Sequence, residues 1–376
     1  MKRKILMTAI ITLGLLALLA GGVFCAGCCV FSASRHPGQK SDHFDGVRFF
    51  NPGATPQSGR QFFKWITHRQ PGPWQEVTDA QPGAVPRSRV EGPELTVTFV
   101  NHATVLIQTA GLNILTDPIW STRASPVDFA GPARMRPPGL RFEDLPPIDV
   151  VLVSHNHYDH MDLPTLTRLD QEHHPRFFTG LGNAATLAKS RIKATELDWW
   201  QSLPLSDSVT LHGAPAQHFS SRGTCDRNYT LWMGFVLTSP GGPIYFAGDT
   251  GFGSFFADIA RRFGPPRLSL LPIGAYKPEW FMGPVHLSPS QAVEVHDILG
   301  SQTSIAMHFG AFRLADDGQD DPGTALAAAL AAHREPRPDF RLPDHGAAIV
   351  SPPLPAPARQ PELDTQAPPP HNGTKP

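Results

Sequence analysis

The sequence predicts a mixed α/β fold, and three features of its pattern support this prediction. Short apolar runs rich in β-branched residues recur along the body of the chain, and polar or glycine-rich turns close them, as is typical of β-strands. Helix-start signals stand between several of these runs. Histidine and aspartate follow four of the runs, at positions where a strand would end.

The first segment, residues 1–34, resembles a signal or membrane-anchor sequence. A basic triplet at 2–4 precedes an uncharged stretch at 5–34, which exceeds the ~20 residues needed to span a bilayer. We therefore expect membrane association through residues 5–34, with the body on the extracytoplasmic (periplasmic) side. Retention as an anchor, simple cleavage, and lipidation at Cys28, which ends a lipobox-like Ala-Gly-Cys, stay open as alternatives.

Two flanking segments differ from the body in composition. Residues 35–93 are rich in glycine and proline but also contain aromatic side chains such as Phe62 and Trp65, so we expect an irregular arm packed on the domain. The domain itself is expected at 94–350. Residues 351–376 are proline-rich and should form a disordered tail, because proline donates no backbone hydrogen bond and the stretch buries little apolar surface.

The body is predicted from alternating strand and helix signals. Two helix starts are clear: Asp162 precedes Leu-Pro, and Ser288 with Gln291 forms a capping box around a proline at the first helical position. The pattern is therefore α/β or α+β. The predicted strands are 95–100, 104–109, 113–116, 149–153, 209–212, 232–238, 244–247, 268–271 and 304–307.

Composition excludes some classes of partner. The 376 residues carry a net charge of -1 and no dense basic run, which argues against a nucleic-acid partner. Three of the four cysteines crowd the apolar N-terminus and leave Cys225 alone in the body, so no disulfide framework is expected. The 17 histidines are unusual, but only their spacing can indicate a function.

The strongest local signal is an HxHxDH run directly after the strand at 149–153. It supplies His155, His157, Asp159 and His160, four potential metal ligands within six residues. Imidazole nitrogen and carboxylate oxygen are the ligands that zinc takes when no thiolate is present. The run therefore predicts a metal site, most readily a zinc site, although manganese or iron would suit the same donors.

Three later positions extend this prediction to a two-metal site. His218, Asp249 and His308 each follow a predicted strand, and loops at one edge of a sheet are where binding groups converge. Two metal ions ~3.5–4 Å apart can clamp the attacking and leaving oxygens of a displacement. We expect Asp249 to bridge the ions. One ion would be held by His155, His157 and His218, and the other by Asp159, His160 and His308.

This set of residues resembles the metallo-β-lactamase superfamily, whose signature is HxHxDH followed by a later His, Asp and His. Within it the sequence is similar to the phospholipases D that hydrolyse N-acylphosphatidylethanolamine. The matching stretches run in order from Asn101 to Phe312. They are NHATVLIQ, LTDPIWSTRASP, LPPIDVVLVSHNHYDHMD, ELDWW, FAGDTGF, RFGPP, LPIGAYKPEWFM and AMHFGAF.

This resemblance implies one domain with the αββα sandwich fold, in which two mixed β-sheets carry helices on their outer faces and the metals lie at one edge. It also implies a binuclear zinc phosphodiesterase that releases N-acylethanolamine and phosphatidic acid from a phospholipid substrate. The nucleophile would be a metal-bridging hydroxide, with Asp159 and Asp249 as catalytic ligands.

Further residues enter through the same resemblance. His286 corresponds to an active-site histidine that contacts phosphate or assists proton transfer, and Asp117 to an early aspartate that supports a metal ligand. Two other groups are open between substrate contact and ordinary structural roles. These are the aromatic residues Tyr276, Trp280 and Phe281, and the arginines Arg123, Arg134 and Arg136.

Two other functions remain compatible with the sequence. The same scaffold serves other hydrolases, such as a general phosphodiesterase or a phospho-lactonase similar to L-ascorbate-6-phosphate lactonase, which act on soluble substrates. A metal-binding scaffold without turnover would not need all seven ligand positions. The sequence does not decide the oligomeric state, and a homodimer is one assembly that it allows.

Overall fold

The computed structural model describes residues 24–55 and 57–355, together with Met7, residues 11–15, Leu18 and residues 21–22. Most of the predicted disordered tail, residues 356–376, lies outside the described residues. Fourteen strands are described, and all belong to two sheets. They are β1 (Leu95–Asn101), β2 (Thr104–Thr109), β3 (Leu112–Thr116), β4 (Val150–Val153), β5 (Arg176–Gly180), β6 (Ala194–Leu197), β7 (Ser202–Pro204), β8 (Thr210–Ala214), β9 (Gly234–Thr238), β10 (Ile244–Phe246), β11 (Leu268–Pro272), β12 (Thr303–Met307), β13 (Phe340–Arg341) and β14 (Ala348–Ser351).

Six of the α-helices lie in connections between strands, and the first precedes β1. Short helical turns also occur at Gly27–Phe31 and Phe142–Asp144. The α-helices whose two ends both lie within the described residues are α1 (Gly59–Thr67), α2 (Leu163–His173), α3 (Ala184–Ala188), α4 (Phe255–Phe263), α5 (Glu279–Met282), α6 (Pro289–Leu299) and α7 (Asp321–Ala332).

Each sheet has seven strands and the same pattern of pairing. The first has the order β14-β1-β2-β3-β4-β5-β6 and the second the order β13-β12-β11-β10-β9-β8-β7. In the first sheet β14 to β3 pair antiparallel and β3 to β6 pair parallel. In the second sheet β7 to β10 pair antiparallel and β10 to β13 pair parallel. Both sheets are therefore mixed, as predicted.

Strand β4 shows why the sheets form layers. Its sequence is Val-Val-Leu-Val, and all four residues are buried. Val150 and Leu152 belong to the large core that joins the two sheets. Val151 and Val153 belong to a second core with Leu166 of α2, on the opposite face. A strand that is apolar on both faces is the pattern of a sheet covered on both sides, and the αββα sandwich is confirmed.

The local signals identified most elements. All nine predicted strands are present, and both predicted helix starts are confirmed: α2 begins at Leu163, and Ser288 caps α6 through a capping box with Gln291. Five strands were not predicted, namely β5, β6, β7, β13 and β14. They have two to five residues. Strands β6 and β7 each contain a single leucine as their only large apolar residue, and β7 also contains a proline, so the pattern does not show them.

The predicted membrane anchor or lipid anchor at the N-terminus is wrong. Within the part of the chain that the structure describes, no helix combines the length and the apolar character needed to cross a bilayer. Residues 1–6 and several others of the predicted anchor lie outside that part. Cys28, the candidate for acylation, is joined to Cys225 in a disulfide. The predicted extracytoplasmic placement depended on this anchor, so it is wrong as well.

The same disulfide corrects the interpretation of the cysteines. Cys28 and Cys225 are separated by 197 residues, whereas Cys25 and Cys29 are free and exposed. Only the fold shows which of three neighbouring cysteines lies close to Cys225, because pairing depends on distance in space and not on sequence spacing. The N-terminal segment is thereby fixed to the loop that follows His218.

The stretch predicted as an irregular arm lies against the body and contains α1. Its backbone hydrogen-bonds to loops of the body: Phe49 N–H donates to Asn228 O at 2.8 Å and Val77 N–H donates to Met135 O at 2.8 Å. The side chain of Asn51 also donates to His218 O at 2.7 Å. The arm therefore contacts the backbone of one of the predicted metal ligands.

His43 anchors this arm to the body by a charged contact. The ring is 5% exposed, stacks on Trp199 with centroids 4.4 Å apart, and places Nε2 2.8 Å from Asp198 Oδ1 and Nδ1 2.6 Å from Asp42 Oδ1. Burial lowers the pKa of His43, but hydrogen bonds to Asp198 and Asp42 outweigh burial and raise it above 6.5. The protonated ring therefore stabilises the folded state.

We expect His43→Gln to lower the free energy of unfolding by roughly 2 kcal/mol at acidic pH, the range for a hydrogen bond to a charged group. A raised pKa contributes stability that is complete below 6.5 and is lost as pH rises through the folded-state value. Urea unfolding of both proteins between pH 5 and pH 9 measures this difference. A difference that does not shrink toward alkaline pH would contradict the assignment. Asp198→Asn should reduce the pH dependence, because Asp42 still contacts the ring.

Candidate metal centre

The candidate site lies where strands of both sheets end. The HxHxDH residues 155–160 follow β4 of the first sheet. Asp249 follows β10 and His308 follows β12, both of the second sheet, and His218 follows β8. The two sheets therefore each contribute ligands to one edge of the sandwich, and these side chains are almost fully buried apart from His157.

Three imidazoles form the first group, which consists of His155, His157 and His218. Their candidate donor atoms lie within 4.8 Å of one another. His157 Nδ1 is 2.8 Å from His155 Nε2 and 3.3 Å from His218 Nε2. His218 Nδ1 donates to Val285 O at 2.9 Å, which leaves Nε2 for the group. Burial holds the pKa of His155 and His218 well below the usual range, so both offer the neutral imidazole that metals bind.

The second group surrounds one carboxylate oxygen. Asp159 Oδ2 lies 3.2 Å from His160 Nε2 and 3.4 Å from His308 Nε2. A further histidine, His102, places Nε2 2.9 Å from the same oxygen. The donor atoms of these four residues lie within 4.8 Å of one another. The structure thus brings together the three residues predicted for the second ion and adds one.

Asp249 is the side chain that both groups share. Its Oδ2 lies 3.1 Å from His308 Nε2 and 3.2 Å from His160 Nε2 in the second group. It also lies 3.8 Å from His218 Nε2 in the first group and 3.9 Å from His286 Nδ1. This is the placement that a bridging carboxylate requires.

Asp117 holds one of the ligands in place. Its Oδ2 accepts hydrogen bonds from His160 Nδ1 at 2.6 Å and from Ser154 Oγ at 2.6 Å, and Oδ1 accepts from Ser154 N at 2.7 Å. Because His160 Nδ1 carries this bond, its Nε2 is free to face Asp159 and Asp249. A carboxylate that orients a histidine in this way is a common support of metal ligands.

The buried carboxylates of the cluster favour positive charge on the groups around them. Burial lowers the pKa of His308, but Asp249 and Asp159 outweigh burial and raise it to about 9. The same carboxylates, with Asp117, raise the pKa of His160 well above the usual range despite burial. The buried carboxylates therefore stabilise positive charge at this position, which divalent cations held by the same side chains would supply.

The unpartnered atoms fit the same interpretation. Among the described residues, His160 Nε2, His308 Nε2, Asp249 Oδ1 and His286 Nδ1 are buried without a hydrogen-bond partner. Buried polar atoms of this kind are rare in folded proteins and need an explanation. Metal ions would bind the lone pairs of these closely spaced nitrogen and oxygen atoms, so the residues present fit metal ions.

The other predicted site residues are placed at different distances from the cluster. His286 belongs to it, with its ring 5.1 Å from the ring of His218. Tyr276 and Phe281 are buried, whereas Trp280 is 44% exposed. Arg123 is engaged in its own loop, where it donates to Asp128 O at 2.8 Å and Gly131 O at 2.7 Å.

His102 was not predicted from the sequence. It lies in the turn between β1 and β2 with φ of 49°, is 1% exposed, and its carbonyl accepts from His308 N at 2.7 Å. A histidine in a tight turn between two strands is ordinarily on the surface, which hid its role. Both flanking strands contain polar residues yet are buried along their whole length, so only the structure shows that the turn between them enters a covered region.

Comparison with known proteins agrees with this geometry. A family model described as the beta-lactamase superfamily domain matches residues 112–309, more than half of the chain. The chain is 40% identical over 229 residues to a Caenorhabditis elegans protein named N-acyl-phosphatidylethanolamine-hydrolyzing phospholipase D 1, covering 58% of this chain and 64% of that one. It is 35% identical over 219 residues to the mitochondrial N-acyl-phosphatidylethanolamine-hydrolyzing phospholipase D of Saccharomyces cerevisiae, covering 55% and 46%.

Both matches span less than two thirds of the relative's own length. Among solved structures, the fold is similar to that of Igni18, a metallo hydrolase from Ignicoccus hospitalis, with a TM-score of 0.51 at 19% identity over 68% of this chain and 98% of that one. From the family match, and in agreement with the two mixed sheets and the ligand motif, the chain belongs to the beta-lactamase superfamily and has the fold of its metallo hydrolases.

Proposed function

We propose that this protein is a metal-dependent phosphodiesterase of phospholipase D type, which hydrolyses N-acylphosphatidylethanolamine to N-acylethanolamine and phosphatidic acid. The observation that carries the proposal is that two groups of metal donors share the carboxylate of Asp249. The names of the worm and yeast relatives supply the substrate, and the residue types at the site agree with phosphodiester chemistry.

The proposed metals are two zinc ions, with manganese or iron as alternatives that suit the same donors. His155, His157 and His218 would hold one ion, Asp159, His160 and His308 the other, and Asp249 both. When bound, two such ions make a water molecule nucleophilic at neutral pH and neutralise charge on phosphoryl oxygens. Asp159 and Asp249 are catalytic because their carboxylates would determine the positions of the two metal ions.

The protein's own contribution is to orient these groups before the substrate arrives. Asp117 fixes the ring of His160, and Val285 O fixes the ring of His218. Burial lowers the pKa of His286 to about 4, so this ring is neutral at physiological pH. A neutral imidazole has one N–H, and from its place beside Asp249 we expect it to donate a hydrogen bond to a phosphoryl oxygen or to the leaving oxygen.

A cavity of about 150 Å³ adjoins the first group and is the proposed position of part of the substrate. His218 and Val285 form its wall toward the cluster, Phe219 adds an aromatic ring, and Arg227 lies over that ring with Cζ 4.1 Å from the centroid. Of the aromatic residues predicted to contact substrate, only Trp280 presents a large exposed surface. We therefore assign acyl-chain contact to Trp280, while Tyr276 and Phe281 support the fold around it.

The proposal is tested by hydrolysis with identification of products. Purified protein should cleave bis(p-nitrophenyl) phosphate, and should convert N-acylphosphatidylethanolamine in mixed micelles to phosphatidic acid and N-acylethanolamine, as identified by mass spectrometry. Prolonged treatment with a chelator should abolish both activities, since the candidate ligands would hold the ions on which the chemistry depends, and added Zn²⁺ should restore them. Elemental analysis should find two metal ions in each active chain.

Other outcomes separate the alternatives. Cleavage of the chromogenic diester without cleavage of the lipid would favour a general phosphodiesterase or a phospho-lactonase with a soluble substrate. Release of diacylglycerol would contradict phospholipase D regiochemistry, because the other phosphate bond would then be broken. Full activity in chelated protein that contains no metal would reject the proposal.

A further inference from the structure

A small cavity of about 10 Å³ lies behind the second ligand group. Its walls include His102 and His308 from the cluster, Trp74 from the arm, Phe312, and Asp317 from the loop before α7. This volume is close to the minimum that accommodates one water molecule, which also needs two to four polar partners. The cavity is therefore large enough for one water and too small for a substrate.

Three residues that line the cavity each have a buried polar atom without a hydrogen-bond partner, not counting Nε2 of His308, which faces the carboxylates. These atoms are Nδ1 of His102, Nδ1 of His308 and Oδ1 of Asp317. An unsatisfied buried donor or acceptor costs about 1–3 kcal/mol, so three around one cavity would be a heavy penalty. The other polar atoms of Asp317 have partners: Oδ2 accepts from Ala275 N at 3.1 Å, and the carbonyl accepts from Trp74 Nε1 at 2.9 Å.

We propose that this cavity binds one water molecule, and that Asp317 acts through it as a positioning residue for His308. With one water in the cavity, each of the three unpartnered atoms has a hydrogen-bond partner. His102 donates from Nε2 to Asp159, so its Nδ1 is an acceptor. The water accepts from His308 Nδ1–H and donates its two hydrogens to His102 Nδ1 and Asp317 Oδ1.

The consequence is that the protonated nitrogen of His308 is determined. With the proton on Nδ1, the lone pair of Nε2 faces Asp249 and Asp159, where a metal ligand must point. His160 and His218 obtain the same orientation directly, from Asp117 and from Val285 O. His308 has no such direct partner among the described residues, and the water with Asp317 supplies it.

This inference rests on the metal-binding part of the proposed function and not on the lipid substrate. Its test is the titration of metal-free protein with Co²⁺, followed by visible absorption. We expect Asp317→Leu to weaken one of two cobalt equivalents by 10- to 100-fold, as for other residues that support metal ligands, and to leave the other unchanged. Asp317→Asn, which keeps a polar group at the cavity, should have a smaller effect.

The neighbouring carboxylate is the matched control. Asp316 is also buried, but it accepts from Arg69 Nε at 2.8 Å and from Gln70 N at 3.1 Å, and does not line the cavity. Asp316→Asn should bind both cobalt equivalents like the wild type. If it weakens metal binding as much as Asp317→Leu does, the effect belongs to the loop and the proposal is overturned.

One measurement on the wild-type protein keeps the proposal testable if Asp317→Leu does not fold. A high-resolution crystal structure should show one water within hydrogen-bond distance of the three atoms. A dry cavity would refute the proposal. Normal cobalt binding without lipid hydrolysis would instead reject the proposed substrate and leave this inference intact.

Discussion

Asp249→Asn is expected to lower phosphodiester hydrolysis by about 10³-fold or more. Metal ions contribute several kcal/mol of transition-state stabilisation, and each 1.36 kcal/mol corresponds to a factor of ten in rate. Asp249 Oδ2 lies within 3.9 Å of four imidazole nitrogens and contacts both ligand groups. The amide keeps the shape of the side chain but removes the charge that would hold two cations close together.

The measurement is kcat/KM for bis(p-nitrophenyl) phosphate together with metal content for each chain. We expect the variant to retain less than the full complement of metal, because the shared ligand is weakened on both sides. Asp258→Asn is the control: this carboxylate lies on α4, the helix that follows Asp249, and contacts only the solvent-exposed Arg261 among charged residues. Activity of Asp249→Asn within a few-fold of the wild type would show that the carboxylate does not bridge.

Asp117→Asn is expected to weaken metal binding by 10- to 100-fold and to destabilise the metal-free protein by roughly 2 kcal/mol. The carboxylate is fully buried and accepts three hydrogen bonds, two from Ser154 and one from His160. The amide presents N–H donors where these partners also donate. Asparagine tolerates the φ of 33° at this position, so the backbone is not the cause of the effect.

Metal titration and urea unfolding of the metal-free protein measure these two effects. Asp162→Asn is the matched control, because this buried carboxylate also accepts three hydrogen bonds, two from Ser121 and one from Thr165 Oγ1, and neither partner is a candidate ligand. It should lower stability by a similar amount and change metal affinity little. If Asp162→Asn weakens metal binding as much as Asp117→Asn does, orientation of His160 is not the function of Asp117.

Much of the site was accessible from local sequence because its ligands follow strands. The strand at β4 is apolar throughout and ends at His155, so the pattern shows both the strand and the point where it reaches the edge of the sheet. The same holds for Asp249 after β10 and His308 after β12. Residues that support the ligands gave a weaker signal. Asp117 was found only by resemblance, and neither His102 nor Asp317 was found.

The difference between these residues is physical. The apolar run before a strand end indicates in the sequence where a ligand follows. A supporting residue has no such run before it, because its role depends on the atom that it contacts in the fold. His102 and Asp317 are 215 positions apart in number, yet they line one cavity. In the N-terminal segment a local pattern gave a prediction that was wrong. The apolar composition suggested a membrane anchor, but Cys28 is bonded to Cys225 in the body.

The sequence by itself determined the mixed α/β class, the strand positions that place ligands at an edge, and the identity of the seven candidate ligands, since these depend on periodicity and on residue chemistry along a short stretch of chain. The αββα arrangement was implied by the family resemblance. Only the tertiary structure decided that Asp249 touches both ligand groups, that His102 joins the second group, that Asp317 stands behind His308, and which cysteine pairs with Cys225. Those features are distances between remote segments, set when the two sheets pack face to face, and no local pattern encodes them.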